Sequence, residues 1–466
     1  MRGSVAAGRR FGEAPVSQYL SVPLANRYEL RMRSVAFWLT IAFVFTIPWE
    51  NAIQIGDFGR VSKGLGFIMA AVWAGSVLVR GWLRPLEAFQ KAYFVFLVWG
   101  GLSIYWSIDS PETLRGFLTM TQIFILLLII WDLFDSEHAI RVGLQAYVLG
   151  ALITTGGVLY AYLTVGEVRF AEHQRYQALS FETDGIALIL AIAAPAAWYL
   201  ATNPSPGRPS PLRLVNYAYV PLALFALILT GTRGATIASI PTALFVVWSL
   251  RRAGPSARLL AFGAIGVALA MVLWFAPREP LARIGTAVTV TDLSGGALSG
   301  RWHIWTQSTQ AFLDRPIAGA GVDAHRAAVQ SRLDDLTAYK KAEKEAHNTY
   351  LSVLVETGLV GLFLFATIIV IVVTRVRQFA RWQAWYWSVQ LAVLAIGAMS
   401  LSLEDSKSIW IFVAFCVSSA ALVESRATSF DTWHTPALAD DDVGFTYGRN
   451  GQGAVPREQP VRPWQR

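Results

Sequence analysis

The sequence predicts an all-α polytopic membrane protein with about 12 transmembrane helices and one large external helical loop. Hydrophobic residues make up 54% of the 466-residue chain and charged residues only 15%, whereas a soluble domain carries about 25% charge. The hydrophobic residues also come in blocks, many long enough to span a hydrocarbon layer of about 30 Å. Because Cys416 is the single cysteine, a disulfide within the chain is excluded.

Twelve apolar segments follow one another along the chain, and each predicts a span. They lie at about 34–48, 64–79, 92–105, 117–131, 142–165, 185–201, 214–230, 235–250, 259–275, 348–373, 385–403 and 408–423. The third and fourth are short enough to be tilted or partly re-entrant. The first apolar segment lacks a small-residue cleavage pattern, so we expect no cleavable signal peptide.

Arginine is concentrated in the N-terminal segment and in every second loop, which predicts that both termini are cytoplasmic. The chain then divides into a cytoplasmic segment (1–33), transmembrane helices 1–9 (34–275), an external loop with surface helices (276–347), transmembrane helices 10–12 (348–424) and a disordered cytoplasmic tail (425–466).

The external loop predicts two helices. Trp302, Trp305 and Phe312 recur near helical spacing, which indicates a helix over about 301–313, lying on the membrane surface. Pro316 and the glycines after it end this helix. Residues 322–344 are highly charged and predict a second, solvated helix.

Several common catalytic motifs are absent. The sequence has no GxxxxGK[ST] phosphate loop, no HExxH and no GxSxG serine motif. We therefore expect no ATP, no cofactor and no metal site, and we expect no nucleic-acid partner.

Three arginines on the predicted external side are candidate anion-binding residues. Arg233 lies in a very short turn, and the flanking Gly231 and Gly234 leave room for a ligand. Positive charge is disfavoured in short external loops, which favours a binding role for Arg233. The alternative is a stop-transfer charge at the membrane interface. Arg301 and Arg175 lie in the two longer external segments, where each is also compatible with an ordinary solvated arginine.

His347 stands where the polar loop meets the tenth span. With a free pKa of about 6.5, a histidine at such a boundary can act as a neutral base. The alternative is a helix-start residue that makes one hydrogen bond. Glu356 lies deeper in the same span, where a carboxyl group must be paired inside the bundle, and we expect a structural role for it.

These residues carry a family resemblance. Arg233 in TGTRGA, Arg301 before a Trp-bearing helix, RPIAGAGV, and HNTYLSVLVETGLVGL at the start of the next span resemble the O-antigen ligase and O-antigen polymerase superfamily of bacterial envelope glycosyltransferases. RYQALSFETDGIAL resembles the family's first outer loop, but Asp184 stands where the family has Asn.

The resemblance implies a metal-independent, inverting glycosyltransferase in the bacterial inner membrane, with its active site facing the periplasm. The donor would be a glycan on undecaprenyl diphosphate, and the acceptor a glycan or a lipid A core, in lipopolysaccharide, O-antigen or exopolysaccharide synthesis. His347 would be the catalytic base, and Arg233, Arg301 and Arg175 would bind the donor diphosphate. Membrane lipids would surround the protein, and no cofactor is implied.

Two other classes remain open at this stage. Twelve spans also fit a multi-span transporter or flippase of polysaccharides or lipid-linked sugars, but transporters place their polar groups near the midplane. A non-catalytic envelope scaffold offers no reason for arginines and a histidine on one outer rim. The family's motifs also do not separate ligases and polymerases from protein-directed oligosaccharyltransferases.

Overall fold

The structure is a computed structural model that describes residues 24–55, 59–165, 168–170, 173–179, 182–203, 211–251, 254–275, 297–330 and 346–434. The chain divides into two units, Met1–Glu424 and Ser425–Arg466. The site discussed below belongs to the first unit. In the second unit, the described residues form the end of the last helix.

The described residues are overwhelmingly helical. The α-helices are α1 (Leu24–Thr46), α2 (Val61–Arg80), α3 (Ala88–Leu102), α4 (Ser110–Leu133), α5 (Glu137–Tyr160), α6 (Thr183–Thr202), α7 (Leu212–Thr230), α8 (Arg233–Ser249), α9 (Pro255–Phe275), α10 (Ala297–Asp314), α11 (His325–Gln330), α12 (Thr349–Arg375), α13 (Arg381–Ala398) and α14 (Lys407–His434). Short 3-10 helices cover Ile47–Trp49, Ser103–Tyr105 and Val376–Gln378, and a π-helix covers Ala161–Val165.

Four short strands form two antiparallel hairpins beside the helices. They are β1 (Gln54–Ile55) with β2 (Gly59–Arg60), and β3 (Val168–Phe170) with β4 (His173–Arg175). The first hairpin connects α1 to α2. The second lies in the segment between α5 and α6.

The predicted all-α polytopic membrane fold is confirmed. A described helix coincides with each of the twelve predicted spans. Within the described ranges, 9 helices are long and apolar enough to cross a membrane, and α3, α8 and α13 are not among them. The helix α4 is longer than predicted, because Asp109 caps it by accepting a hydrogen bond from Glu112 N at 3.3 Å, so the helix begins before its apolar residues.

Helix α6 is the centre of the bundle. Every residue from Ile186 to Ala201 is buried, and α5, α7, α8 and α13 pack around it. Polar side chains tie these neighbours together: Trp198 Nε1 donates to Ser249 Oγ of α8 at 2.8 Å, and Gln390 Nε2 of α13 donates to Ile192 O at 3.2 Å. Such interhelical hydrogen bonds satisfy polar groups that lipid cannot.

The charges of the predicted cytoplasmic loops meet at one end of the bundle. Arg80 at the end of α2 lies 2.7 Å from Asp132 near the end of α4, and both side chains are buried. Asp132 also accepts a hydrogen bond from Trp73 Nε1 at 3.1 Å. Arg375 at the end of α12 lies 2.6 Å from Glu87, which caps α3. The ends of α2 and α4 therefore lie together, as do the end of α12 and the start of α3.

The large loop partly departs from its predicted form. The first predicted helix is present as α10, and its Ala311 is buried against Val329 of α11 and Val355 of α12. The expectation of a second, solvated helix over 322–344 is wrong for its first part, because His325 and Val329 of α11 are both buried. Residues 331–345 lie outside the described residues.

The last helix, α14, continues to His434, although the predicted tail begins at residue 425. The prediction of disorder for 435–466 falls outside the described residues.

Candidate functional site

His347 lies immediately before α12 in a strained conformation. Its φ is 46°, in the left-handed region that favours glycine. Asn348 follows as the helix cap, with its Oδ1 accepting from Tyr350 N at 3.1 Å and Leu351 N at 3.2 Å. Strain of this kind costs about 1–3 kcal/mol and tends to occur at functional sites. The cap therefore fixes the start of α12 directly after the residue that carries the imidazole.

The His347 side chain is half-buried, and its Nδ1 atom is buried without a hydrogen-bond partner among the described residues. Leaving a buried polar atom unsatisfied costs about 1–3 kcal/mol. Such an atom calls for an explanation in the protein's function. A polar group supplied by a substrate would satisfy it.

Helix α10 is anchored beside His347. Trp305 Nε1 donates to the carbonyl oxygen of Ala346, the residue before His347, at 2.8 Å. Arg301 lies one turn earlier than Trp305 on α10. The backbone at Arg301 is thus near the start of α12, although 46 residues of sequence separate Arg301 from His347. The Arg301 side chain lies outside the described residues.

Arg233 is the first residue of α8 and is half-buried. Gly231, at φ 62°, ends α7, and Thr232 caps the next helix. Thr232 Oγ1 donates to Asp184 Oδ1, in the first turn of α6, at 3.0 Å. Asp184, whose role the sequence left open, therefore holds the α7–α8 turn that carries Arg233.

The loop from Met399 to Ser406, between α13 and α14, touches both of these places. Thr349 Oγ1, two residues after His347, donates to Leu401 O at 2.9 Å and accepts from Leu403 N at 2.9 Å. On the other side, Gly234 lies against Ser400, so closely that a Cβ atom at position 234 would overlap the serine hydroxyl. The 399–406 loop thus brings the Arg233 turn and the His347 junction to one place.

This packing corrects one expectation. The sequence suggested that Gly231 and Gly234 leave room for a ligand at Arg233. Instead, Gly231 supplies the left-handed turn, and the space at Gly234 is filled by Ser400.

Two carboxyl groups and a hydroxyl lie just behind the junction. Ser352 Oγ is 3.2 Å from Glu356 Oε1 and 2.5 Å from Glu404 Oε1 of the 399–406 loop. A serine has one hydroxyl proton, so it donates to one carboxylate at a time. Glu356 is buried and has its partner inside the bundle, as a structural residue needs. Sequence analysis missed the role of Glu404. Glu404 and Ser352 are 52 residues apart, and no sequence motif indicates that they are in contact.

A break in α12 fixes the direction of its first half. Gly358 adopts φ 66° and ψ −167° inside the helix. The segment from Pro316 to Gly321 docks there: Leu359 N donates to Pro316 O at 2.8 Å, and Gly321 N donates to Glu356 O at 2.9 Å. The RPIAGAG motif is therefore more than a helix breaker, since its backbone seats the half of α12 that follows His347.

A cavity of about 700 Å³ lies on the far side of the 399–406 loop. Ser402, Leu403 and Asp405 form part of its wall, whereas neither Arg233 nor His347 lines it. Asp405 is at the mouth, reached by water but surrounded by protein. Burial raises the pKa of Asp405 to about 8, and the neighbouring carboxyl groups of Glu404 and Asp323 add to the rise.

Of the predicted site residues, the structure brings together the Arg233 turn, the His347 junction and the backbone of α10. Arg175 lies in β4, and its side chain is outside the described residues. A shared diphosphate clamp of Arg233, Arg301 and Arg175 therefore stays a prediction.

Residues 218–366 match a family model described as O-Antigen ligase. The match runs from α7 into α12 and includes Arg233, Arg301 and His347. This match, which covers less than half of the chain, supports the predicted resemblance to the O-antigen ligase and polymerase superfamily. The match supports a glycosyltransferase-type function in polysaccharide biosynthesis at a membrane.

Two further comparisons add little. No curated protein matches the chain. A chain from the solved structure described as "Structural coordination of polymerization and crosslinking by a peptidoglycan synthase complex" aligns with 74% of this chain and 98% of its own length, at 15% identity and a TM-score of 0.37. A likeness this distant carries no conclusion about function.

Proposed function

We propose that the protein is a metal-independent, inverting glycosyltransferase. It would transfer or polymerise a glycan from undecaprenyl diphosphate onto an acceptor hydroxyl at the outer face of the bacterial inner membrane. The products would belong to lipopolysaccharide, O-antigen or exopolysaccharide synthesis. The main support for this proposal is that the Arg233 turn and the His347 junction both pack against the 399–406 loop.

Arginine suits a diphosphate at a membrane surface. Its planar guanidinium stays charged and donates two parallel hydrogen bonds to phosphate oxygens. Arg233 would bind the donor's diphosphate with the help of Arg301 and Arg175. These donors stabilise the negative charge that grows on the leaving diphosphate as its bond to the sugar breaks.

His347 would remove the proton of the acceptor. As the acceptor oxygen attacks the anomeric carbon, the carbon–oxygen bond to the diphosphate breaks, and its electrons leave with the diphosphate. The hydroxyl proton passes to the imidazole. One direct displacement inverts the anomeric carbon, and no external energy source is needed because the diphosphate is already a good leaving group.

The test is transfer by purified protein from an undecaprenyl-diphosphate-linked glycan, with and without EDTA. We expect product with inverted anomeric configuration and an unchanged rate in EDTA. A large fall in the transfer rate when EDTA is added would show that the enzyme needs a metal ion. The absence of any product with the lipid-linked donor would remove the proposed function, and movement of intact donor between leaflets of a vesicle would favour a flippase.

A further inference from the structure

The cavity beyond the 399–406 loop changes in polarity from its mouth to its floor. Helices α2, α4 and α6 each line it with residues at the spacing i, i+3, i+4 and i+7, beginning at Lys63, Thr119 and Gly185. Seven residues of helix rise about 10 Å. The three stripes therefore line a channel about two turns deep, parallel to the helices and open on one side, where Phe67 is exposed.

All three helices begin at the same end of the bundle, so the stripes run in the same direction. The first residues are Lys63, Thr119 and Gly185, and the last are Ala70, Leu126 and Ile192. The floor is thus apolar, whereas the mouth is polar. A ligand that matches this gradient has a polar head outside and a hydrocarbon chain inside.

The mouth carries an excess of positive charge. Arg60 and Lys407 both pair with Glu50, at 3.2 Å and 2.6 Å. Lys63 is exposed, and it has no ion pair among the described residues. Even with Asp405 counted as ionised, the three cations outnumber the two carboxylates, Glu50 and Asp405, that line the cavity. The head of the ligand is therefore anionic.

We propose that this cavity binds a second lipid substrate, the acceptor, as a glycan linked to a single polyprenyl phosphate chain. The chain lies along α2, α4 and α6, and the phosphate meets Lys63 and Arg60. We choose a single polyprenyl chain because the proposed donor is carried on the same kind of lipid. This choice of lipid rests on the proposed function, whereas the polarity of the cavity does not.

Two separate sets of cations support two lipid sites. Arg233 is on α8, and Lys63 and Arg60 are at the start of α2. The 399–406 loop stands between them, touching the Arg233 turn through Ser400 and lining the cavity through Ser402 and Leu403. An acceptor held in the cavity would have its glycan at this loop, beside the proposed base.

Direct binding tests the site. The probe is undecaprenyl monophosphate, measured against the purified full chain in phosphatidylcholine nanodiscs. Lys63→Glu reverses the charge of the lysine at the mouth of the channel. Gly185→Leu fills part of the channel, since nothing lies within 4 Å of a Cβ at position 185. We expect each variant to weaken binding at least 10-fold.

Matched controls lie elsewhere on the bundle. Lys91→Glu changes an exposed lysine on α3, and Gly156→Leu fills equally open space on α5. Both should bind as the wild type does. Binding that is unaffected by Lys63→Glu and Gly185→Leu, or equal competition by phosphatidylglycerol, would overturn the proposal.

Kinetics separate acceptor from donor. In transfer between lipid-linked glycans, Gly185→Leu should raise the KM of the acceptor and leave that of the donor unchanged. A rise in donor KM would instead place the donor in the cavity and overturn the assignment. Arg233→Lys should slow transfer about 100- to 1,000-fold but keep undecaprenyl monophosphate binding. Loss of both transfer and binding would show that donor and acceptor share a single site and would overturn the proposal. A protein that binds the probe but transfers no glycan would refute the proposed function alone.

Discussion

Gly234 packs so closely against Ser400 that a Cβ atom at position 234 would overlap the serine hydroxyl. Gly234 follows Arg233, and Ser400 precedes Leu401, which is bonded to Thr349 beside His347. The close approach of Gly234 and Ser400 therefore helps to position Arg233, the proposed phosphate ligand, relative to His347, the proposed base.

Gly234→Ala should push the 399–406 loop away from α8. A misplacement of about 1 Å can cost about 100-fold in rate, and we expect a loss of that order in glycan transfer. Because the overlap involves the Ser400 side chain, the double variant with Ser400→Gly should recover most of the rate. Gly266→Ala, in open space on α9, is the matched control. A double variant as slow as Gly234→Ala would mean that the loop does not position the site.

His347→Asn should leave a folded protein that transfers almost nothing. Asparagine tolerates the left-handed conformation that φ 46° requires, but it cannot take a proton. Removing a positioned base costs about 100- to 10,000-fold. His138→Ala, an exposed histidine at the start of α5, should keep the wild-type rate. Transfer by His347→Asn within a few-fold of wild type would remove the base from the mechanism.

Arg233→Lys should be nearly as harmful as Arg233→Ala, because lysine keeps the charge but loses the two parallel hydrogen bonds. The loss of one transition-state donor typically costs about 100- to 1,000-fold in kcat. Initial rates over a range of donor concentrations measure it. Arg258→Lys, whose guanidinium is exposed and bonds the carbonyl of Leu250, should be neutral. Full activity of Arg233→Lys would show that charge alone suffices.

The sequence predicts what depends on local patterns. Hydropathy located a helix at each predicted span, although only nine of the described helices are long and apolar enough to cross a membrane. The glycine and proline of RPIAGAG marked the end of α10. The position of α4 was less well predicted, since its cap, Asp109, precedes the apolar residues. Hydropathy records apolar residues, not the polar turn before them.

Contacts between residues that are distant in the sequence cannot be predicted from such local patterns. Lys63, Thr119 and Gly185 each begin an i, i+3, i+4, i+7 stripe, but such a stripe also describes ordinary core packing. Only the packing of α2, α4 and α6 shows that the stripes face an open channel. The bond between Ser352 and Glu404 likewise depends on the fold of the 399–406 loop, which no local signal indicates.

Gly358→Ala should destabilise the protein, because its backbone conformation excludes a side chain. Its φ of 66° and ψ of −167° are open essentially to glycine alone. A Cβ there would also overlap the carbonyl of Ile317. We expect a loss of about 1–3 kcal/mol in unfolding free energy, seen as a lower thermal midpoint in detergent, whereas Gly266→Ala should not lower it. An unchanged midpoint for Gly358→Ala would show that α12 does not need its break.

Asp405→Asn should change how stability depends on pH. The pKa of Asp405 is raised from its ordinary value of 3.8 to about 8, first by burial and then by Glu404 and Asp323. The folded protein thus holds this proton more tightly than the unfolded chain does. The resulting stabilisation is fully present below pH 3.8 and is lost as the pH rises through about 8. The thermal midpoint of the wild type should therefore fall, relative to Asp405→Asn, between pH 4.5 and about 8. A constant difference between the two proteins across that range would mean that Asp405 is ionised in the folded state.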